Sequence, residues 1–236
     1  MCRLLAYASS EPATLATIVG PTLSDFVELS KEHKHGWGVT TCASIGGVQE
    51  RERDVAPAVE SSLFTEVASS KSTDGALVHL RLASKGLTVD LSNNHPFIHG
   101  DISFMHNGTI RPGSSIEHLV DADLLAQLTS TTDSERYFFA ILTAAKKVGL
   151  IEAIAATVKE IASTSDYSAI NSITLTPDFL IAVCQFNVAE QSEWTVPFHY
   201  ELRYTKEDGA IKVASTGWGH DDWTPLTNGK MLVVNR

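Results

Sequence analysis

Cys2 is the residue whose type and place best suit a nucleophile. An initiator methionine is removed when the next residue is small, as Cys is. Loss of Met1 would leave a thiol and a free α-amino group on one residue. α-Amino groups titrate at about 7.7–8.0, so near neutral pH part of the population accepts the thiol proton, directly or through a water. The plainer reading of Cys2 is a small buried residue opening a strand. Met105-His106-Asn107-Gly108-Thr109 offers a partner for the nucleophile. The Asn107 amide and the Gly108 N–H, aimed at one spot, would hold a developing oxyanion, and glycine permits close backbone approach. The same Asn-Gly pair also reads as a tight hairpin turn at a strand end. Arg81 alternates with apolar neighbours in Val78-His79-Leu80-Arg81-Leu82-Ala83-Ser84-Lys85-Gly86. It either faces solvent or lies paired inside, where its planar fork matches a carboxylate, with Ser84 and Lys85 just beyond to assist. Asp133 sits in the first turn of an expected helix, where the macrodipole alone favours it; its functional reading is an anionic partner for a substrate ammonium.

Nine histidines invite a metal reading, chiefly His33-Lys34-His35-Gly36-Trp37-Gly38 and Asn93-Asn94-His95-Pro96-Phe97-Ile98-His99. No H-E-x-x-H occurs, and no carboxylate stands at helical i, i+4 spacing from these histidines, so neither metal nor cofactor is expected. Gly36-Trp37-Gly38 reads as a strand passing close to another backbone. Asn94-His95-Pro96 reads as a rigid turn lining a pocket.

The elements that must position these groups fit in 236 residues, 43% of them hydrophobic and 19% charged, which suits a single domain needing no metal or disulfide staple. Eighteen basic against 28 acidic side chains leave a formal charge of −10, which argues against a general binder of nucleic acid or anionic membrane. Cys2, Cys42 and Cys184 form no C-x-x-C pair, and their odd number cannot close a full disulfide framework; a reducing cytoplasm is the expected setting. No apolar run approaches membrane-spanning length, and Leu4 to Ala8 is too short for a signal-peptide core.

Strands are expected at Arg3 to Tyr7, Trp37 to Cys42, Leu77 to Leu82, Ile102 to His106, Ser172 to Leu175, Phe179 to Gln185, Phe198 to Tyr204, Ile211 to Ala214 and Met231 to Val234, with Asp208-Gly209 as a hairpin turn. Leu23 to His33 suits a short helix with Phe26 and Leu29 on one face. Val55, Val59, Leu63 and Val67 form a four-residue helical stripe. Thr132-Asp133-Ser134-Glu135 reads as a capping box with Glu135 reaching back. The helix behind it buries Tyr137, Ile141 and Ala144 and stops at Gly149, and Ile151, Ile154, Val158 and Ile161 mark another. Strands and helices come in blocks, so the fold class is α+β rather than a doubly wound parallel sheet.

Taken in order, Met-Cys-Arg-Leu-Leu, His-Lys-His-Gly-Trp-Gly, His-Leu-Arg-Leu-Ala-Ser-Lys-Gly, Asn-His-Pro-Phe, His-Asn-Gly and Thr-Asp-Ser-Glu resemble a class II glutamine amidotransferase, an N-terminal-nucleophile (Ntn) hydrolase. The stand-alone, glutaminase-type form is the most similar, and Val213-Ala214-Ser215, Trp223 and the closing Met231-Leu232-Val233-Val234 extend the likeness. The resemblance implies a four-layer αββα sandwich of Ntn-hydrolase type over residues 1–236. It implies Cys2 as nucleophile with its own amine as base, and Asn107 and Gly108 as the oxyanion hole. Arg81 is implied to bind the glutamine α-carboxylate and Asp133 the α-ammonium. Ser84 stands where a Thr near the carboxylate is common, which keeps the hydroxyl; Lys85 replaces a His of some members and departs from the pattern. Trp37 and His95 match in motif and are assigned to pocket structure.

The expected reaction is attack of Cys2 on the side-chain amide of L-glutamine, giving a γ-glutamyl thioester and ammonia, with no cofactor. The expected partners are the small-molecule substrate and, where the ammonia is used, a separate ammonia-accepting synthase. Three rivals stand beside this reading: a hydrolase of larger γ-glutamyl compounds, as in ergothioneine biosynthesis, a catalytically silent glutamine- or partner-binding domain, and a histidine-based metal hydrolase.

Overall fold

The computed structural model describes residues 2–84, 86–193 and 199–236. Its strands are β1 (Arg3–Thr14), β2 (Trp37–Cys42), β3 (Gln49–Asp54), β4 (Ser72–Leu80), β5 (Phe97–His99), β6 (Ile102–Arg111), β7 (Asp166–Leu175), β8 (Phe179–Cys184), β9 (Leu202–Glu207), β10 (Ala210–Ser215), β11 (Thr224–Leu226) and β12 (Lys230–Asn235). Its helices are α1 (Leu15–Val19), α2 (Leu23–Glu28), α3 (Ser62–Ser70), α4 (Ala122–Leu125), α5 (Asp133–Ala145) and α6 (Leu150–Thr164). The strands form two antiparallel sheets, one in the order β11-β9-β10-β1-β4-β2-β3 and the other β12-β8-β7-β6-β5.

Strand alternation builds the layers. Along β1, Leu4, Ala6 and Ala8 pack with Met105, Ile173, Leu180 and Ala182 of the second sheet, so this face looks across to β6, β7 and β8. The intervening Leu5 and Tyr7 pack instead with Leu15, Val19, Phe26 and Phe64 of α1, α2 and α3. On the far side, Phe104, Ile110 and Ile170 of the second sheet pack under Tyr137, Ile141, Ile154 and Ile161 of α5 and α6. Three apolar layers between four structural ones make the αββα order, with the central strands such as β1 and β7 buried on both faces by their two-residue period.

Several local expectations meet the structure unchanged. β2 spans Trp37 to Cys42, and Asp208 (φ 48°) and Gly209 (φ 73°) turn β9 into β10. Others are corrected. The stripe from Val55 to Val67 is α-helical only from Ser62, because Pro57 leads into a single 3-10 turn (Ala58–Glu60) and Ser61 caps a new helix through a 3.2 Å bond from the Phe64 N–H; Val55 and Val59 stay exposed. Asn107-Gly108 is no hairpin turn, since β6 runs through it to Arg111 with a bulge between Gly108 and Ile110. The capping box is half made. Thr132 accepts from the Glu135 N–H, but the Glu135 carboxylate reaches past it to the N–H groups of Thr129 and Ser130 (2.9 and 2.6 Å). Helix α5 ends at Ala145 with Ala144 only half-buried, and Gly149 caps the start of α6 instead. Strand β9 begins at Leu202; Phe198, the expected start, lies outside the described residues. Strand β3, Gln49-Glu50-Arg51-Glu52-Arg53-Asp54, carries no apolar alternation and escapes a reading based on it; it is a charged sheet edge.

Candidate active site

Cys2 sits where β1 begins, and its neighbour Arg3 is in register with Leu80, the last residue of β4. The antiparallel pairing therefore puts Cys2 beside the segment that leaves β4, and the Cys2 thiol lies 3.7 Å from the Leu82 carbonyl. Cys2 has the strand parity of Leu4, which faces the inter-sheet layer. Asn107 has the parity of Met105, which faces that layer from the other sheet. Both side chains are thus directed into the space between the sheets at the same end of the sandwich.

Arg81 follows Leu80 and is clamped by its backbone: its N–H donates to Gly36 O at 2.8 Å and its carbonyl accepts from His35 N at 3.0 Å. This fixes the guanidinium inside, only 3% exposed. Nη2 donates to Thr88 O at 3.1 Å, while Nη1 makes no hydrogen bond among the described residues and no carboxylate there pairs with the group. Burial pulls its pKa down, and the nearby Cys2 and Asp90 pull it back up. An uncompensated buried cation is costly, so this one is poised for an anion from outside. Ser84 is exposed at the cleft, its hydroxyl 3.4 Å from that of Thr109; Lys85 lies outside the described residues.

Gly108 has φ +154°, and a Cβ there would collide with the Ala169 carbonyl, so only glycine fits this close approach. Asn107 is 1% exposed, with neither amide atom hydrogen-bonded among the described residues. Asp133 opens α5 beneath them. Its Oδ2 accepts from the Ile110 N–H at 2.7 Å, which leaves Oδ1 facing the Ser134 hydroxyl at 3.5 Å.

One narrow cleft is lined by Cys2, Arg81, Ser84, Gly108 and Asp133 together. These residues come from the start of β1, the loop after β4, the bulge of β6 and the start of α5. Of the six residues expected to act on the substrate, Asn107 alone does not line it and is 1% exposed; Trp37, assigned to pocket structure, is instead packed in the helix-side core edge-on to Phe64 at 5.2 Å. Two roomier hollows, along α5–α6 and under α6 beside β12, contain none of these residues. Among the described residues, no group of three or more His, Cys, Asp or Glu is placed to hold a metal ion, and no helix is long and apolar enough to cross a membrane.

The cleft also contains His95, expected as pocket structure, and Asn93, His106 and Ser134, to which the sequence assigned no role. His95 lines it, as its motif suggested, with neither ring nitrogen hydrogen-bonded among the described residues. Its ring lies 4.3 Å from that of His79, whose pKa is pushed down to about 3 by burial and the charge of Arg81. The turn carrying His95 is held from the charged edge strand: Arg53 and Arg51 donate to Asn94 O (2.7 Å) and Pro96 O (3.2 Å). Gly38 lets β2 pass against the His95 carbonyl, as its motif suggested. Asn93, 1% exposed, joins two walls of the cleft. Its Nδ2 donates to Thr88 O at 3.3 Å and its Oδ1 accepts from the Thr131 N–H at 3.0 Å. His106 and Ser134 complete the lining. The quoted motifs contain all of these residues, but only burial separates them from ordinary turn chemistry.

A thiol beside a buried unneutralised cation, opposite a carboxylate and a glycine bulge, is a constellation for acyl transfer on a zwitterionic substrate. Comparison with known proteins gives the fold and the family. Over 139 residues the chain is 27% identical to the gamma-glutamyl-hercynylcysteine sulfoxide hydrolase of Mycobacterium tuberculosis, a match spanning 53% of this chain and 59% of that relative. Its fold is similar to that of a glutamine aminotransferase class-II domain protein from Silicibacter pomeroyi (TM-score 0.69, 19% identity, 99% of this chain and 95% of the other). It is also similar to the glutamine phosphoribosylpyrophosphate amidotransferase of B. subtilis (TM-score 0.62, 17% identity), where it covers 99% of this chain and 47% of the other. The family model for class II glutamine amidotransferases matches residues 1–236, and the chain belongs to that family.

Proposed function

We propose that the protein hydrolyses the side-chain amide of L-glutamine through an N-terminal cysteine. The observation that carries this reading is the single cleft shared by Cys2, Arg81, Gly108 and Asp133. With Met1 removed, the Cys2 amine takes the thiol proton and the thiolate attacks the amide carbon. The oxyanion that forms receives hydrogen bonds from the Asn107 amide and the Gly108 N–H. The amine returns its proton to the departing nitrogen, ammonia leaves, and a γ-glutamyl thioester remains. Water then attacks the thioester and gives its proton to the amine; glutamate leaves and the thiol is restored.

Charge pairing selects the substrate. The α-carboxylate neutralises Arg81, whose Nη1 and charge lack a partner among the described residues. Asp133 Oδ1, which has the Ser134 hydroxyl 3.5 Å away, takes the α-ammonium, with Ser84 at the carboxylate side. A glutamine inside a peptide has neither charge and is rejected. The ammonia goes to solvent or to a separate synthase.

A second reading is favoured by the mycobacterial relative's name: cleavage of a larger γ-glutamyl compound. Every group named above reads the glutamyl end, so both substrates meet the same machinery. Release rates on a panel of glutamine, γ-glutamyl amides and N-acetylglutamine separate the two readings. We expect turnover of compounds with a free glutamyl end, none of N-acetylglutamine, and none of any with Cys2→Ala at unchanged circular dichroism. Retained turnover by Cys2→Ala would contradict the proposal.

A further inference from the structure

His106 is 1% exposed, lines the cleft, and has both ring nitrogens engaged. Nε2 lies 3.2 Å from the Ala169 carbonyl, which can only accept, so Nε2 carries the hydrogen. Nδ1 lies 2.9 Å from Ser134 Oγ, and in the neutral ring it accepts from that hydroxyl. Burial pushes its pKa down, more than Asp133 and the Ala169 bond raise it, which keeps the ring neutral. With no free nitrogen, His106 is unsuited to be the base of the reaction.

Its two bonds reach two different parts of the site. The Ala169 carbonyl is the wall that a Cβ on Gly108 would strike, so the bond to Nε2 fixes the surface against which the Gly108 bulge rests. Ser134 is adjacent to Asp133 in the first turn of α5. The ring itself stands edge-on to Tyr137 at 5.5 Å, which holds its plane.

We propose that His106 is a positioning residue that ties the Gly108 end of the oxyanion site to the Asp133 end of the substrate site through one neutral ring. Nε2 sets the Gly108 N–H, which acts in the transition state; Nδ1 takes the Ser134 hydroxyl proton and so anchors the first turn of α5, whose backbone carries the Asp133 carboxylate that acts on the bound substrate. This inference rests on the proposed glutamine chemistry, and it predicts that the two bonds separate kinetically.

Amide side chains test it, since Gln places its nitrogen near Nε2 and Asn places its amide near Nδ1. His106→Gln keeps the Ala169 bond and gives up Ser134. KM for glutamine should rise on the order of tenfold with kcat within about threefold. His106→Asn keeps Ser134 and gives up Ala169, so kcat should fall about tenfold to a hundredfold with KM little changed. Ser134→Ala, which leaves the ring in place, should reproduce the KM rise alone and stands in if either His106 variant fails to fold. Variants in which kcat and KM move together in step with lowered Tm, or Ser134→Ala with unchanged KM, would overturn the assignment. Thioester trapping on wild-type Cys2 is scored separately. A wild type without the adduct sinks the reaction and this inference together; a wild type with it and unsplit variants sinks the inference alone.

Discussion

Two buried arginines stand at opposite ends of β4 and are treated in opposite ways. Near the start of the strand, the Arg236 side chain is 1% exposed, paired with a carboxylate and held through both terminal nitrogens. Nη1 donates to Thr176 O at 2.6 Å; Nη2 donates to Cys42 O at 2.5 Å and pairs with Asp74 Oδ1 at 2.8 Å. Asp74 in turn accepts from the Ser44 N–H and hydroxyl. Past the far end, Arg81 is as deeply placed, yet it has one carbonyl partner and no carboxylate among the described residues. The first charge is neutralised within the fold and closes the sandwich. The second is held by the fold with no ion pair among the described residues, which is how a binding group differs from a structural one. Asn107, buried with an unused amide, belongs with Arg81.

That contrast can be broken by substitution. The largest effect is expected at Asn107. Asn107→Ala should lower kcat about 10²–10³-fold, the loss typical of one oxyanion donor, with little change in KM; steady-state kinetics on glutamine decide it, and a kcat near wild type would remove Asn107 from the site. Next, Arg81→Met should lower kcat/KM by about 10²-fold, in line with the ~2–5 kcal/mol lost when one member of a buried charge pair is truncated, while the unfolding midpoint stays or rises. Arg236→Met should do the reverse. It strands Asp74 and should cost on the order of 3 kcal/mol in denaturant titrations, with kcat/KM of the folded enzyme unchanged. If both arginines moved stability alike and activity alike, the distinction would be void.

The smallest effect concerns pH. Burial raises the Asp74 pKa, but the Ser44 bonds and the Arg236 charge outweigh it and hold the carboxyl below its ordinary value. A depressed folded pKa gives stability that is present above the unfolded value, about 3.9, and lost as pH falls through the folded one. Tm should therefore drop as pH is lowered from about 4, and Asp74→Asn should flatten that drop. An equal drop in the variant would detach Asp74 from acid sensitivity.

How far the sequence alone reaches follows the same divide. Elements with strong local patterns are legible: Trp37 to Cys42 as a strand, Asp208-Gly209 as a hairpin turn, the helix behind Thr132. Elements set by tertiary partners are not. Strand β3 is all polar because it is an edge and because Arg51 and Arg53 reach the turn that carries His95. Asn107-Gly108 has the composition of a turn, and only the Ala169 backbone beside it explains why β6 runs through. Arg81 could have faced solvent on its own strand pattern; the clamps from Gly36 and His35 send it inside. Of the residues given a role from motifs, Cys2, Arg81, Ser84, His95, Gly108 and Asp133 line one cleft, whereas His106, Asn93 and Ser134 become visible only through their buried hydrogen bonds.

The central claim is that the second residue carries both the nucleophile and its base. Intact-mass analysis of active enzyme, acid-quenched during turnover of glutamine, tests it most directly. The account predicts a chain lacking Met1, with a γ-glutamyl adduct on Cys2 that is absent from Cys2→Ala. Full turnover by protein that keeps Met1, or with no adduct on Cys2, would contradict it.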